Sequence, residues 1–234
     1  MDPTWFTLTP LEREALSLSL LVSGWAVVGS LPFGILFAWL LARRSFPGKT
    51  LLDGVIHLPL VLPPVVVGYA LLVLFGRRGL LGTPLHDWFG ITIAFTWKGA
   101  AIASALVAFP LMVRAIRLAL EGVDRRLEQA ARTLGCGPIQ SFFVVTLPLS
   151  LPGVLAGVIL AFARSLSEFG ATITFVSNIP GETRTLPIAL YALTQVPGGD
   201  APAFRLCVIS VIVAFAALLA SEILARRVRE RIGG

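Results

Sequence analysis

Long apolar runs alternate with short polar connections along this chain, and the length of those runs decides the first reading. A helix needs roughly 20 apolar residues to cross about 30 Å of hydrocarbon. Runs of that order occur at about 15–42, 54–76, 91–118, 152–177 and 205–226. They predict an all-α integral membrane protein of about five spans, organised as a single transmembrane domain over residues 1–234. Two polar interruptions break the pattern. One is the island 128–148, EQAARTLGCGPIQSFFVVTLP, inside a connection at about 119–151. The other is 178–202, NIPGETRTLPIALYALTQVPGGDAP, which is too polar for a sixth crossing and predicts a short membrane-face helix over its amphipathic part, 186–196.

The spans themselves are uneven. Pro59, Pro63 and Pro64 fall in the second, where each removes a backbone donor and disturbs the preceding turn. A helix broken at membrane depth has to be covered by protein or line a wet cavity, so this segment reads either as a kinked packing helix or as part of a pathway. Gly153 and Gly157 have the small-xxx-small spacing of closely packed membrane helices. In the fourth span Arg164 and Glu168 stand four apart, where they share a helix face and neutralise each other. Ionisable groups at that depth face a bundle interior or water. The pair either fixes helix rotation or, with Ser165, Ser167, Thr172 and Thr174, borders a route for a polar solute.

Within the island, 125–134 reads as a short helix with a strongly polar face, stopped by a left-handed Gly135 and sealed by Pro138. Ala130 and Ala131 leave room for another protein surface to approach. A second amphipathic piece, 139–146, precedes the return to the membrane at Leu147-Pro148. On composition the helix serves equally as a docking element or as a surface helix in the headgroup layer, where Arg125, Arg126 and Arg132 are at home.

Composition and charge narrow the class. Hydrophobic residues make up 56% and charged residues 14% of the chain, a balance that a soluble core of 234 residues does not need. The formal charge of +6 does not point to nucleic acid, because the cations sit in short connections rather than on a basic face with interleaved aromatics. Twelve Lys and Arg residues fall in the first and third connections and the tail (Arg43, Arg44, Lys49, Arg114, Arg117, Arg125, Arg126, Arg132, Arg226, Arg227, Arg229 and Arg231), against five on the other side. The positive-inside bias then places the C-terminus and the 119–151 connection in the cytoplasm and the N-terminus outside. Residues 1–14 lack the basic start of a cleavable signal, so the first span reads as a retained anchor. Cys136 and Cys207 have no partner at metal-ligand spacing, and no metal or catalytic residue is expected.

The island carries a resemblance. Gln129-Ala130-Ala131-x3-Gly135-x9-Val145-x-Leu147-Pro148 resembles the EAA loop of importer permeases in the ATP-binding-cassette superfamily. Gln129 stands where that family usually has Glu, with Glu128 one residue earlier, and Val145 replaces the usual Ile. The stretches 41–72 and 162–191, with SEFGA and NIPGETRT, are similar to the molybdate-type permease subunit, and the likeness runs over roughly residues 15–227. It implies the type I importer fold and a bacterial or archaeal cytoplasmic membrane. It also implies a coupling helix formed around Glu128, Gln129, Ala130, Ala131, Gly135 and Pro138, docking on an ATPase. The implied partners are a second copy of the chain, two cytoplasmic ATPase subunits that hold ATP-Mg, and an external oxyanion-binding protein.

No Walker A pattern occurs in the chain, so hydrolysis falls to a separate polypeptide and this chain is not expected to be an enzyme or to bind a cofactor. Molybdate is the implied substrate, with tungstate and sulfate or thiosulfate as alternatives. Candidates along the anion's route or gate are Arg164, Ser165, Glu168 and Thr172 in the fourth span, and Ser177, Asn178, Thr183, Arg184 and Thr185 on the outer side. Two other classes compete: a secondary transporter or channel, which ought to show repeated halves, and a membrane scaffold, which has no use for both an intramembrane ion pair and a coupling-type loop.

Overall fold

The computed structural model describes residues 7–232. The first six residues of the 1–14 lead lie outside them, as do the side chains of Arg229 and Arg231. Among the described residues the chain forms helices and no strand. Helix α1 (Pro10–Arg43) opens on a capping box: Thr9 accepts from the Glu12 N–H, and the Glu12 carboxylate accepts from the Thr9 N–H at 2.7 Å. Its 34 residues rise about 51 Å. That exceeds the apolar layer, so α1 carries its ends into polar surroundings.

The second run is not one helix. Helices α2 (Lys49–Val61) and α3 (Pro64–Phe75) meet at 112° across Leu62 and Pro63. Pro63 forces Leu62 into an extended conformation (ψ 141°), which ends α2, while Pro59 is absorbed inside it. Among the described residues four helical stretches are long and apolar enough to cross a membrane, and the bent pair makes five if it counts as one span. A short helix that the sequence reading did not anticipate, α4 (Gly82–Phe89), follows.

The third span begins later than the apolar run implies. Phe95 takes a left-handed conformation (φ 62°) and Thr96 caps α5 (Trp97–Gly122) by accepting from the Gly99 N–H at 3.3 Å. Helix α6 (Arg125–Thr133) follows after Asp124, whose carboxylate accepts from the Arg126 N–H at 2.9 Å.

The fourth span differs at both ends. Helix α7 (Pro138–Ser141) runs through a π turn (Phe142–Thr146) into α8 (Leu147–Leu166), one helical path from Pro138 to Leu166. It stops at 167–169, short of the expected 177, and restarts as α9 (Gly170–Val176). Helices α10 (Leu186–Thr194) and α11 (Asp200–Ile232) complete the chain.

Helix α5 is the centre of the packing. In its most apolar window 61% of residues are buried, against 11% in α11 at the periphery. Met112, Ile116 and Leu120 of α5 pack between Leu41 of α1 and Val154 and Ala161 of α8. Gly157 brings α8 and α5 together, for a Cβ there would stand 3.0 Å from both Ile116 Cγ1 and the Met112 carbonyl oxygen. Phe175 and Val176 of α9 fill a second core with Val67 and Leu71 of α3 and Ala100 of α5.

The two broken spans also meet each other. A Cβ on Gly170 would come within 2.9 Å of Pro64 Cβ, and one on Gly68 would strike the Ala171 backbone. Each break is thereby packed on one side against the other, while Pro63 and Ser167 stay exposed, and irregular backbone at membrane depth needs protein or water around it.

Candidate functional site

The polar island folds as the sequence reading expected, with a division of faces that the linear motif hides. Helix α6 ends in paired capping bonds: Gly135 N–H donates to Arg132 O at 3.0 Å and Cys136 N–H to Ala131 O at 3.1 Å. Gly135 takes the left-handed conformation (φ 92°) that this ending demands. Arg125, Glu128, Gln129 and Arg132, spaced i, i+3, i+4 and i+7, line a groove against α1. Leu127, Ala130, Ala131 and Leu134 have the same spacing on the opposite side of the helix, with Leu127 47% and Leu134 86% exposed. Glu128 thus faces inward and Gln129 borders the groove while staying exposed, whereas Ala130 and Ala131 lie on the other side of the helix. Pro138 opens α7 and borders the same groove.

Glu128 is held by distant parts of the chain. Its carboxylate lies 2.9 Å from Arg43 Nη2 at the end of α1 and accepts from Thr146 Oγ1, in the π turn, at 2.8 Å. Arg43 also donates to Val123 O at 3.0 Å, just before α6 begins. Ser141 Oγ donates to the Glu128 carbonyl at 3.4 Å. Three elements, α1, α6 and the π turn, are tied through one carboxylate. Sequence reasoning counted Arg43 only as a topogenic charge, because a pair 85 positions apart leaves no local signal.

At the second place, the break after α8, Arg164 and Glu168 form the expected pair: Arg164 Nη1 is 2.7 Å from Glu168 Oε2. The contact is ionic rather than directed along a hydrogen-bond axis. Glu168 sits past the end of α8, and its Oε1 accepts from the Ala171 N–H at 2.8 Å to cap α9. Its side chain is 1% exposed while that of Arg164 is 28% exposed, so the cation alone reaches the surface. Ser165 and Thr172 are buried; Thr172 Oγ1 donates to Phe169 O at 2.9 Å, whereas Ser165 Oγ has no hydrogen-bond partner.

The 177–185 segment is a built turn. Ser177 is left-handed (φ 62°), and its carbonyl accepts from Thr183 Oγ1 at 3.1 Å while Ile179 N–H donates to that same hydroxyl at 2.9 Å. Thr183 and Thr185 are buried, which takes them off the surface where transient anion contacts would need them. Arg184 is half-buried and its Nε donates to Asn178 Oδ1 at 2.8 Å. No carboxylate stands within ion-pair distance of it among the described residues.

Two further ionic groups escaped the sequence reading. Asp53, His57 and Lys49 share α2; Asp53 lies 3.2 Å from His57 Nδ1 and pairs with Arg117 at 3.1 Å, while Arg117 also holds Glu121 at 2.8 Å. Glu12 and Arg205 join α1 to α11 at 2.8 Å. Spacing within α2 and α5 could have suggested the i,i+4 halves of the first group. Nothing local could have suggested the second.

An all-helical bundle with a central buried span, two broken spans packed on each other and a capped surface helix on a polar connection has the build of a membrane permease. Residues 30–230 match the family described as binding-protein-dependent transport system inner membrane component, and the chain belongs to it. It is a multi-pass protein of the bacterial inner membrane. The chain is 68% identical over 226 residues to the molybdenum transport system permease protein ModB of Escherichia coli (strain K12), covering 97% of this chain and 99% of that one. The ModB of Haemophilus influenzae is 57% identical, over 95% and 97% of the two chains.

A sulfate transport system permease protein, CysT of Salmonella typhimurium, is 39% identical over 92% of this chain and 76% of its own. Among solved structures, a bacterial ABC transporter involved in import of the acidic polysaccharide alginate aligns with TM-score 0.76 at 18% identity, over 94% of this chain and 80% of that one. The MetNI methionine ABC transporter aligns with TM-score 0.69 at 17% identity, over 97% and 99%. These two likenesses show the fold.

Proposed function

We propose that this chain is the membrane permease subunit of an ATP-driven importer that carries molybdate into the cell. The single observation that carries the reading is the 68% identity to a molybdenum permease along nearly the whole of both chains, against 39% to the sulfate permease. The chain supplies the path and not the hydrolysis. ATP-Mg belongs to two separate ATPase subunits, a second copy of this chain completes the path, and an external binding protein delivers the anion. The positive-inside bias puts the α6 end in the cytoplasm.

In this reading Leu127, Ala130, Ala131 and Leu134 form the surface presented to the ATPase, and Gly135 fixes the direction in which α6 ends. Glu128 is the inward anchor that passes its movement to α1 and α8. ATP favours one closure state of its subunits, and only that difference in affinity can shift the permease between inward-open and outward-open. A dianion would cost tens of kcal/mol in bare hydrocarbon, so its route needs water or donors. Arg164 and Arg184 are the cations offered for that purpose, Glu168 sets the position of Arg164, and Asn178 holds Arg184. Ser165 and Thr172 are buried donors beside the first cation, and Ser177, Thr183 and Thr185 shape the turn that carries the second.

The test is reconstitution of the complete complex with its binding protein, followed by ATPase stimulation with molybdate, tungstate and sulfate in turn. Stimulation by molybdate at the lowest concentration is expected. Stimulation by sulfate alone would overturn the substrate assignment.

A further inference from the structure

The groove between α1 and the Pro138–Leu166 helix, roofed by the inward face of α6, encloses about 910 Å³. Arg44, Arg125 and Arg132 line one end of it. None of the three has an ion-pair partner among the described residues. Arg44 lies 5.3 Å over the Trp39 ring, which orients its guanidinium without neutralising it. Glu128 is the one carboxylate in the lining, and Arg43 already compensates it. The head of the groove therefore carries an uncompensated charge of three cations.

Below that head the walls turn apolar, with Leu31 and Ile35 from α1 facing Phe142 and Leu147. From Arg43 back to Leu31 is twelve residues, a rise of about 18 Å. One leaflet of hydrocarbon is about 15 Å deep. A cationic head over an apolar trunk of one-leaflet length has the shape and charge of an anionic phospholipid. A soluble phosphate compound would leave the trunk unused, and an apolar helix of a second copy would leave three cations unmatched.

We propose that this groove holds one anionic phospholipid of the leaflet on that side, its phosphate among Arg44, Arg125 and Arg132 and an acyl chain along α1. The apolar stripe of α6 points the opposite way, so lipid and ATPase occupy different faces of one helix. The lipid thereby becomes part of the support on which α6 moves. This assignment rests on the groove and not on the identity of the transported anion.

The experiment compares photoactivatable phosphatidylglycerol with photoactivatable phosphatidylcholine in mixed vesicles of the two lipids containing the whole transporter. The phosphatidylglycerol probe is expected to label peptides 31–39 and 138–147. Labelling is expected to fall by about a hundredfold in R44Q/R125Q/R132Q. The charge-preserving R44K/R125K/R132K should keep most of it, which separates loss of charge from loss of fold. Equal labelling by both probes would overturn the proposal, as would undiminished labelling of the Gln variant or equal loss in the Gln and Lys variants. A photo-crosslinking residue at Ile139 that captures a second copy of the chain instead of lipid would overturn it too.

Discussion

Glu168 and Glu128 are both held by an arginine at under 3 Å, yet they belong to opposite kinds of construction. Glu168 finds its partner four residues back, and spends its second oxygen on capping the helix that follows. Everything it needs is within one turn of chain. Glu128 draws on Arg43, 85 positions earlier, and on Thr146, 18 positions later. The first carboxylate stabilises a break inside one span; the second fastens a surface helix to two other elements. A local pair can hold its geometry while neighbouring helices slide, whereas a long-range tie must move with all three of its anchors or break. That difference fits a static joint at the break and a transmitting joint at the loop.

Removal of Glu168 is the severest way to probe the contrast. Glu168→Ala leaves Arg164 without its counter-charge in a span and leaves the Ala171 N–H uncapped. One-sided loss from a buried pair costs several kcal/mol, and about 3 kcal/mol is expected here because Arg164 keeps partial exposure. The measurement is thermal unfolding of the purified protein, with the Arg164→Ala/Glu168→Ala double variant alongside. The double variant should recover part of the loss, since it buries no orphan charge. If Glu168→Ala unfolds at the wild-type temperature, the break does not depend on this pair.

The long-range tie should fail differently. Arg43→Ala frees Glu128 from α1, and bonds to a charged group of this kind contribute about 2 kcal/mol. Helix α6 keeps its own caps and its apolar stripe, so the ATPase still co-purifies. Uptake per ATP hydrolysed is expected to fall about fivefold in vesicles, with Thr146→Val showing a smaller drop in the same direction. Wild-type coupling in Arg43→Ala would remove Glu128 from the transmission path. Loss of ATPase co-purification would instead make the tie a docking contact.

The same contrast explains what could be read from the sequence. Helix α6 and its glycine stop were legible because propensity, capping and the left-handed residue all lie within ten positions. The Arg164–Glu168 pair was legible for the same reason. The limits of the spans were not, because apolar composition continues through backbone that turns. Residues 91–96 are nearly as apolar as α5 but precede a left-handed Phe95, and α8 stops at 167–169 where Glu168 caps the next helix. The proline cluster announced a disturbance in the second span, though not the 112° bend or the close approach of α3 to α9 beside it. Arg43, Thr146 and the Glu12–Arg205 pair were hidden altogether, since their partners are brought near only by the bundle.

Arg184 completes the comparison as a cation with no carboxylate partner among the described residues. Its Nε is oriented by the neutral Asn178 amide, so the positive charge stays available to a passing anion while the side chain is kept from wandering. Neutral anchoring of this sort adds little to stability, and Arg184→Ala should leave the unfolding temperature close to wild type. Molybdate uptake at low substrate concentration is expected to drop by about threefold, the scale of one weak charge contact at a wet surface. Asn178→Ala should have a smaller effect, because the cation remains and only its direction is lost. Raising the salt concentration should shrink the gap between Arg184→Ala and wild type, since a charge contact that solvent reaches is screened. Unchanged uptake in Arg184→Ala at normal expression would take this residue off the route and leave Arg164, tied to its own glutamate, as the remaining cation on it.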